Sequence, residues 1–204
     1  MKVNTASIEP VLLENSPLEE VESFTYLGSI INVRGGTDED VKTRIGKART
    51  AFLQLQMIWK SRELSQCTKI RIFNSNVKSV LLYGAETWRI TKATLTKVQT
   101  FINSYLRSIL RVHWLDKISN ISLRERTQQI PAQREMGRRK WRWTGHTLRR
   151  PVVSTTRQAL SWNPQGKRRR GRPRNTWRRD LQADTKRMGI TWNQLEVKAQ
   201  DREL

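Results

Sequence analysis

The run Gly137–Arg138–Arg139–Lys140–Trp141–Arg142–Trp143–Thr144–Gly145–His146 interleaves four cations with two indoles. Cations of this kind neutralise phosphates and release counterions, and indoles stack on unpaired bases or on guanidinium planes. The blander reading buries Trp141, because it shares helical spacing with Leu148. We expect a mixed case, with Trp141 in a core. Arg138, Arg139 and Arg142 are then solvated or phosphate-bound, with Lys140, Trp143 and His146 in the same surface.

A second basic run, Lys167–Arg168–Arg169–Arg170–Gly171–Arg172–Pro173–Arg174, follows Asn163–Pro164–Gln165–Gly166. Glycine lets a backbone sink deep and proline holds it extended, so Arg170 and Arg172 could enter a narrow A·T minor groove. Arg170–Gly171–Arg172–Pro173 resembles the core of an AT-hook. The same residues also fit a nuclear-import cluster or a basic linker that touches phosphates.

Chemistry of the bond-breaking kind has fewer candidates. Two-metal phosphoryl transfer needs clustered carboxylates. Asp180 and Asp184, one helical turn apart, are the close aspartate pair in the basic half, and they equally suit ion pairs with Arg178, Arg179 and Lys186. Asp38, Glu39 and Asp40 are adjacent, so they point in different directions and suit a helix cap. His113, His146 and Cys67 are far apart in sequence, and no glycine-rich GxxxxGK phosphate loop is present. No independent active site is visible; the expectation is no catalysis, no metal and no cofactor.

The composition agrees. Of 204 residues, 39 are Lys or Arg and 18 Asp or Glu, a net charge of +21, with 36% hydrophobic residues and eight Trp. That is enough apolar material for a core, so wholesale disorder is excluded. Residues 1–40 carry two basic and eight acidic groups, whereas residues 138–179 hold fifteen Lys/Arg and no acid. Such a field repels itself unless a polyanion lies against it, and nucleic acid is the default partner over an anionic membrane. One cysteine excludes a disulfide framework or Cys-rich zinc module. No apolar run is long enough to span a bilayer, and the first ten residues do not read as a signal peptide. The expected location is nuclear or cytoplasmic, not secreted.

These groups need elements to position them. Residues 8–13 and 24–31 are β-prone runs, read as a short antiparallel pair before Asn32–Val33–Arg34–Gly35–Gly36. Thr37 then caps a helix whose apolar stripe is Val41, Ile45, Ala48, Phe52, Leu55 and Trp59, with Arg44 and Lys47 off the stripe. A helix after Ser65 presents Ile70, Phe73, Val77 and Leu81, and residues 83–88 break or bend it. A third helix runs from near Thr91 through Val98, Ile102 and Ile109. Ser119 or Asn120 caps a short helix, Pro131 starts another that Pro151 stops, Asn175 or Thr176 opens a further one, and Thr191 caps the last. The expected fold is mainly α: a small N-terminal β-hairpin (1–36), a thumb-like helical bundle (37–118), a basic helical segment (119–162), a flexible Arg-rich linker (163–175) and C-terminal helices (176–204).

In order, Phe24–Thr25–Tyr26–Leu27–Gly28–Ser29–Ile30–Ile31, Arg44–Ile45–Gly46–Lys47–Ala48 and Leu82–Tyr83–Gly84–Ala85–Glu86–Thr87–Trp88 resemble the carboxy-terminal part of LINE-type non-LTR retrotransposon reverse transcriptases. Trp143–Thr144–Gly145–His146, Arg170–Gly171–Arg172–Pro173 and Thr176–Trp177–Arg178 look like the tails of the same elements. The likeness covers nearly the whole chain. It implies a palm-ending strand near the primer grip at Tyr26, Leu27 and Gly28, followed by a helical thumb. The family's catalytic aromatic–Ala–Asp–Asp block is absent, as are fingers, endonuclease and Cys/His knuckle, so polymerase activity is not carried over and Mg2+ would belong to a missing palm. The implied role is that of a fragment holding template RNA and primer DNA, with a full-length reverse transcriptase as a further partner and no membrane. Its candidate contacts are Arg44, Lys47, Arg138, Arg139, Lys140, Arg142, Trp143, His146, Arg168, Arg169, Arg170, Gly171, Arg172, Arg174 and Arg178. The alternatives are a nuclear architectural protein using its hook-like motif, or a non-functional element remnant.

Overall fold

The computed structural model describes residues 9–33, 36–161 and 177–201. The hook-like motif, with Arg168, Arg169, Arg170, Gly171, Arg172 and Arg174, lies outside them. Mainly α is the observed class, with small hairpins at the N-terminal end. Contacts divide the chain into two units, Met1–Gly84 with Thr91–Glu135, and Ala85–Ile90 with Met136–Leu204.

In the first unit, the expected pairing of run 8–13 with run 24–31 is replaced by two separate hairpins. β1 (Leu12–Leu13) pairs with β2 (Ser16–Pro17), and β3 (Ser23–Tyr26) pairs with β4 (Ser29–Asn32), both antiparallel. The run 24–31 folds back on itself because Leu27 (φ 48°) and Gly28 (φ 77°) both adopt positive φ, the requirement of a two-residue hairpin turn.

α1 (Asp38–Gln54) begins after Thr37, with three acids in its first turn but no side-chain bond from Thr37. Its apolar stripe is interrupted at Leu55 before α2 (Gln56–Lys60). The Phe52 carbonyl accepts both the Leu55 N–H (3.2 Å) and the Trp59 indole N–H (2.7 Å), and the two rings stack at 4.8 Å. Trp59 thus folds back over the stripe instead of extending it.

α3 (Gln66–Ile72) starts at Ser65, whose hydroxyl accepts the Thr68 N–H at 3.1 Å. It continues as a π-helical stretch, Phe73–Lys78, into α4 (Ser79–Leu81). Ser75 and Asn76 side chains both donate to the Ile72 carbonyl, competing with the backbone ladder where the register widens. Phe73, Val77 and Leu81 are buried, as their spacing predicted. α5 (Lys92–Leu110) is capped by Thr91 and α6 (Asn120–Thr127) by Ser119. Phe52 is the hub of the core, meeting Phe73 edge-on and Tyr105 at 4.3 Å. Buried Lys78 donates to Gln129 Oε1 (3.0 Å) and Glu135 Oε2 (3.2 Å).

The second unit holds most of α7 (Ala132–Leu148), then α8 (Thr155–Ser161), α9 (Trp177–Arg187) and α10 (Trp192–Gln200). α8 was not expected from the sequence. Leu148, Leu160, Leu195 and Ala199 form a core ringed by Trp141, Trp143, Trp177, Ile190 and Trp192. The Trp177 indole donates to the Glu86 carbonyl (2.8 Å), tying in the turn before Trp88. A reciprocal capping box joins Thr191 and Gln194 at the start of α10. No helix among the described residues is long and apolar enough to cross a membrane.

Candidate nucleic-acid interface

α7 carries two kinds of cation. On its inner side Lys140 is 3% exposed, its Nζ 2.8 Å from Asp184 Oδ2 and 6.0 Å from the centre of the Trp177 ring. Burying an ammonium is costly unless it is paired, and the carboxylate and indole face supply that pairing. On its outer side Arg138, Arg142 and His146 recur every four residues and are all exposed. Four residues rise about 6 Å along a helix, so these groups form one ridge with a step suited to successive phosphates.

Arg138 and Arg142 make no ion pair or side-chain hydrogen bond with any other described residue. Beyond the helix end, exposed Arg150 continues the four-residue spacing, and its Nη2 lies 3.4 Å from His146 Nε2. A guanidinium only donates, so Nε2 is the acceptor in that contact. Arg150 was not among the expected contacts, although its spacing from His146 was the available signal. Arg149 donates to the Ala199 carbonyl (3.1 Å), bracing the end of α7 against α10.

The remaining expected contacts of this unit are placed differently. Arg139 is half-buried. Trp143 is also half-buried, packed on the core and edge-on to Trp177 with ring centres 5.5 Å apart, which takes its ring away from an incoming base. Trp141 packs on the same core, as expected. Arg178 is half-buried and donates to the Ser161 carbonyl (2.9 Å). Asp184 takes both Lys140 and Arg187 (3.3 Å), so that carboxylate serves as an ion-pair partner.

A second constellation lies in the first unit, where Tyr26, Leu27 and Gly28 meet Arg44 and Lys47. Arg44 Nη2 donates to Ser29 Oγ (2.9 Å) and the Leu27 carbonyl (3.4 Å). Its Nε lies 3.9 Å from Asp40, and its guanidinium sits 4.3 Å over the Tyr83 ring. Lys47 Nζ donates to the Gly28 carbonyl at 3.0 Å. A side chain at Gly28 would begin 2.9 Å from that Nζ, so the close approach as well as the positive φ favours glycine. The assignment of Arg44 to a phosphate is therefore corrected. With 5% exposure it latches the hairpin tip to α1 and leaves no approach for an anion. Lys140 is corrected for the same reason, its charge being spent on Asp184. Lys47 keeps its exposed position but holds the turn. Tyr26 and Leu27 are exposed at the tip.

Residues 51–83 match a family described as a domain of unknown function (DUF6451), a stretch running from late α1 to Tyr83. An uncharacterized transposon-derived protein of Caenorhabditis elegans is 26% identical over 172 residues, covering 82% of this chain and 61% of that protein. The chain thus spans less than two thirds of that relative's length. The likeness is consistent with a transposon-related origin. No solved structure matches the chain.

Proposed function

We propose that this chain is the nucleic-acid-holding part of a transposon-derived reverse transcriptase of the non-LTR kind, gripping RNA and DNA by their backbones and performing no chemistry itself. The observation that carries the reading is the α7 ridge: Arg138 and Arg142 exposed, in line with His146 and Arg150, and unpaired among the described residues. A row of unneutralised guanidinium groups on a rigid helix is costly to maintain unless a polyanion satisfies it. The similarity to a transposon-derived protein supports the same reading, as does the ordered set of sequence blocks. Metal-dependent strand synthesis would belong to a separate catalytic segment, with which this chain would share its template and primer.

Filter binding of single- and double-stranded oligonucleotides across salt tests the proposal. With about six phosphates neutralised, affinity falls by roughly three orders of magnitude between about 50 and 200 mM salt. Replacing both Arg138 and Arg142 by Ala lowers the slope of log K against log salt by about two. A flat salt response removes the proposal. Competition between A·T-rich and G·C-rich duplexes separates it from minor-groove reading, since phosphate holding alone gives little preference.

A further inference from the structure

The second unit contains an open cleft of about 540 Å3 between α8, α9 and the start of α10, within the volume range of small-ligand sites. Its apolar wall is made by Leu160, Ile190 and Trp192, and the α9 side contributes Arg178, Gln182 and Lys186. We infer that this cleft seats one unpaired nucleobase of a bound single strand, stacked on Trp192, with the adjoining phosphate held by Arg178 and Lys186. The inference deepens the proposed nucleic-acid binding and rests on it.

Several observations select a nucleotide over other occupants. The Trp192 indole is held in place, its Nε1 donating to Glu196 Oε1 (3.1 Å), and Glu196 is paired in turn with Arg157 (3.7 Å). A fixed aromatic ring loses little entropy when a base stacks on it. The charge of the lining suits an anion: it includes two cations and no carboxylate. Arg178 is positioned by one bond to the Ser161 carbonyl, which leaves most of its five donors available. Lys186 is exposed and makes no ion pair with a described residue. The Gln182 carboxamide, also exposed and unbonded among the described residues, offers a donor and an acceptor together, the complement of a base edge. A purely apolar occupant would leave these three polar groups without partners.

The test uses the full chain and an oligothymidylate of about 12 nucleotides, inside the usual range of single-strand site sizes. A second oligonucleotide of the same length carries abasic residues throughout. The intact strand should bind about tenfold more tightly than the abasic one, because both supply the same phosphates and only one supplies bases. Gln182→Trp fills the cleft from an exposed position and should abolish that ratio while leaving the salt slope unchanged. Trp192→Phe keeps a stacking face and should retain most of the ratio, which separates stacking from loss of the core contact that Trp192 also makes. Equal affinity of the wild-type chain for both strands, or a ratio that survives Gln182→Trp, overturns the cleft assignment. A chain that binds neither strand sinks the broader nucleic-acid reading as well, so the two failures are distinguishable.

Discussion

The helices α1 and α7 look alike as sequence, each a stretch of cations set off an apolar stripe, yet their cations have different fates. Arg44 and Lys47 of α1 are consumed by the turn at Leu27 and Gly28, whose carbonyls they accept as partners. The same habit recurs nearby, where buried Lys69 donates to the carbonyls of Trp59 (3.1 Å) and Ser61 (2.6 Å), and Arg111 to that of Lys60 (2.8 Å). These are the end carbonyls of α2, which have no partner within their own helix and attract positive charge. On α7, by contrast, no described segment covers Arg138 or Arg142. Net charge therefore overstates the surface open to a polyanion. What matters is whether another part of the chain brings orphan carbonyls over the cations first.

Mutations can break this comparison or sharpen it. The largest effect is expected from Arg44→Ala, which strips the buried Asp40 of its ion-pair partner and frees the hairpin tip. It should cost about 3 kcal/mol in urea unfolding and leave the salt slope of nucleic-acid binding unchanged. A preserved stability with a reduced slope would reverse the assignment of that residue. Gly28→Ala should cost about 1–2 kcal/mol, combining a positive φ with the approach of Lys47. Lys140→Met should cost about 1 kcal/mol, because Asp184 keeps Arg187 and a partly open position. Arg138→Ala with Arg142→Ala should move stability by less than about 0.5 kcal/mol while changing the salt slope most. Loss of stability in that pair would place the ridge inside a packed contact.

The local signals for helices were legible in the sequence. Ser65, Thr91, Ser119 and Thr191 each cap a helix through the side chain, because such caps depend on residues only a few positions away. The Leu27 turn was hidden, since a leucine at positive φ contradicts its own preference and is held there by Arg44 and Lys47 from α1. The ridge followed from spacing and charge. The inward fate of Lys140 did not, because its partner Asp184 lies 44 residues away and only the folded second unit brings them together. Trp143 was misjudged for a similar reason: its neighbour Trp177 arrives from a distant helix.

The π-helical stretch at Phe73–Lys78 makes chain length itself a constraint. Losing one residue there would let the rod rewind to ordinary α geometry, turning whatever follows by roughly 100° about its axis. Leu81 and Leu82, both 0% exposed, would swing out of phase with Phe73. Single-residue deletions across this rod should consequently be far less tolerated than substitutions at its exposed positions, a phasing requirement that no count of apolar residues records.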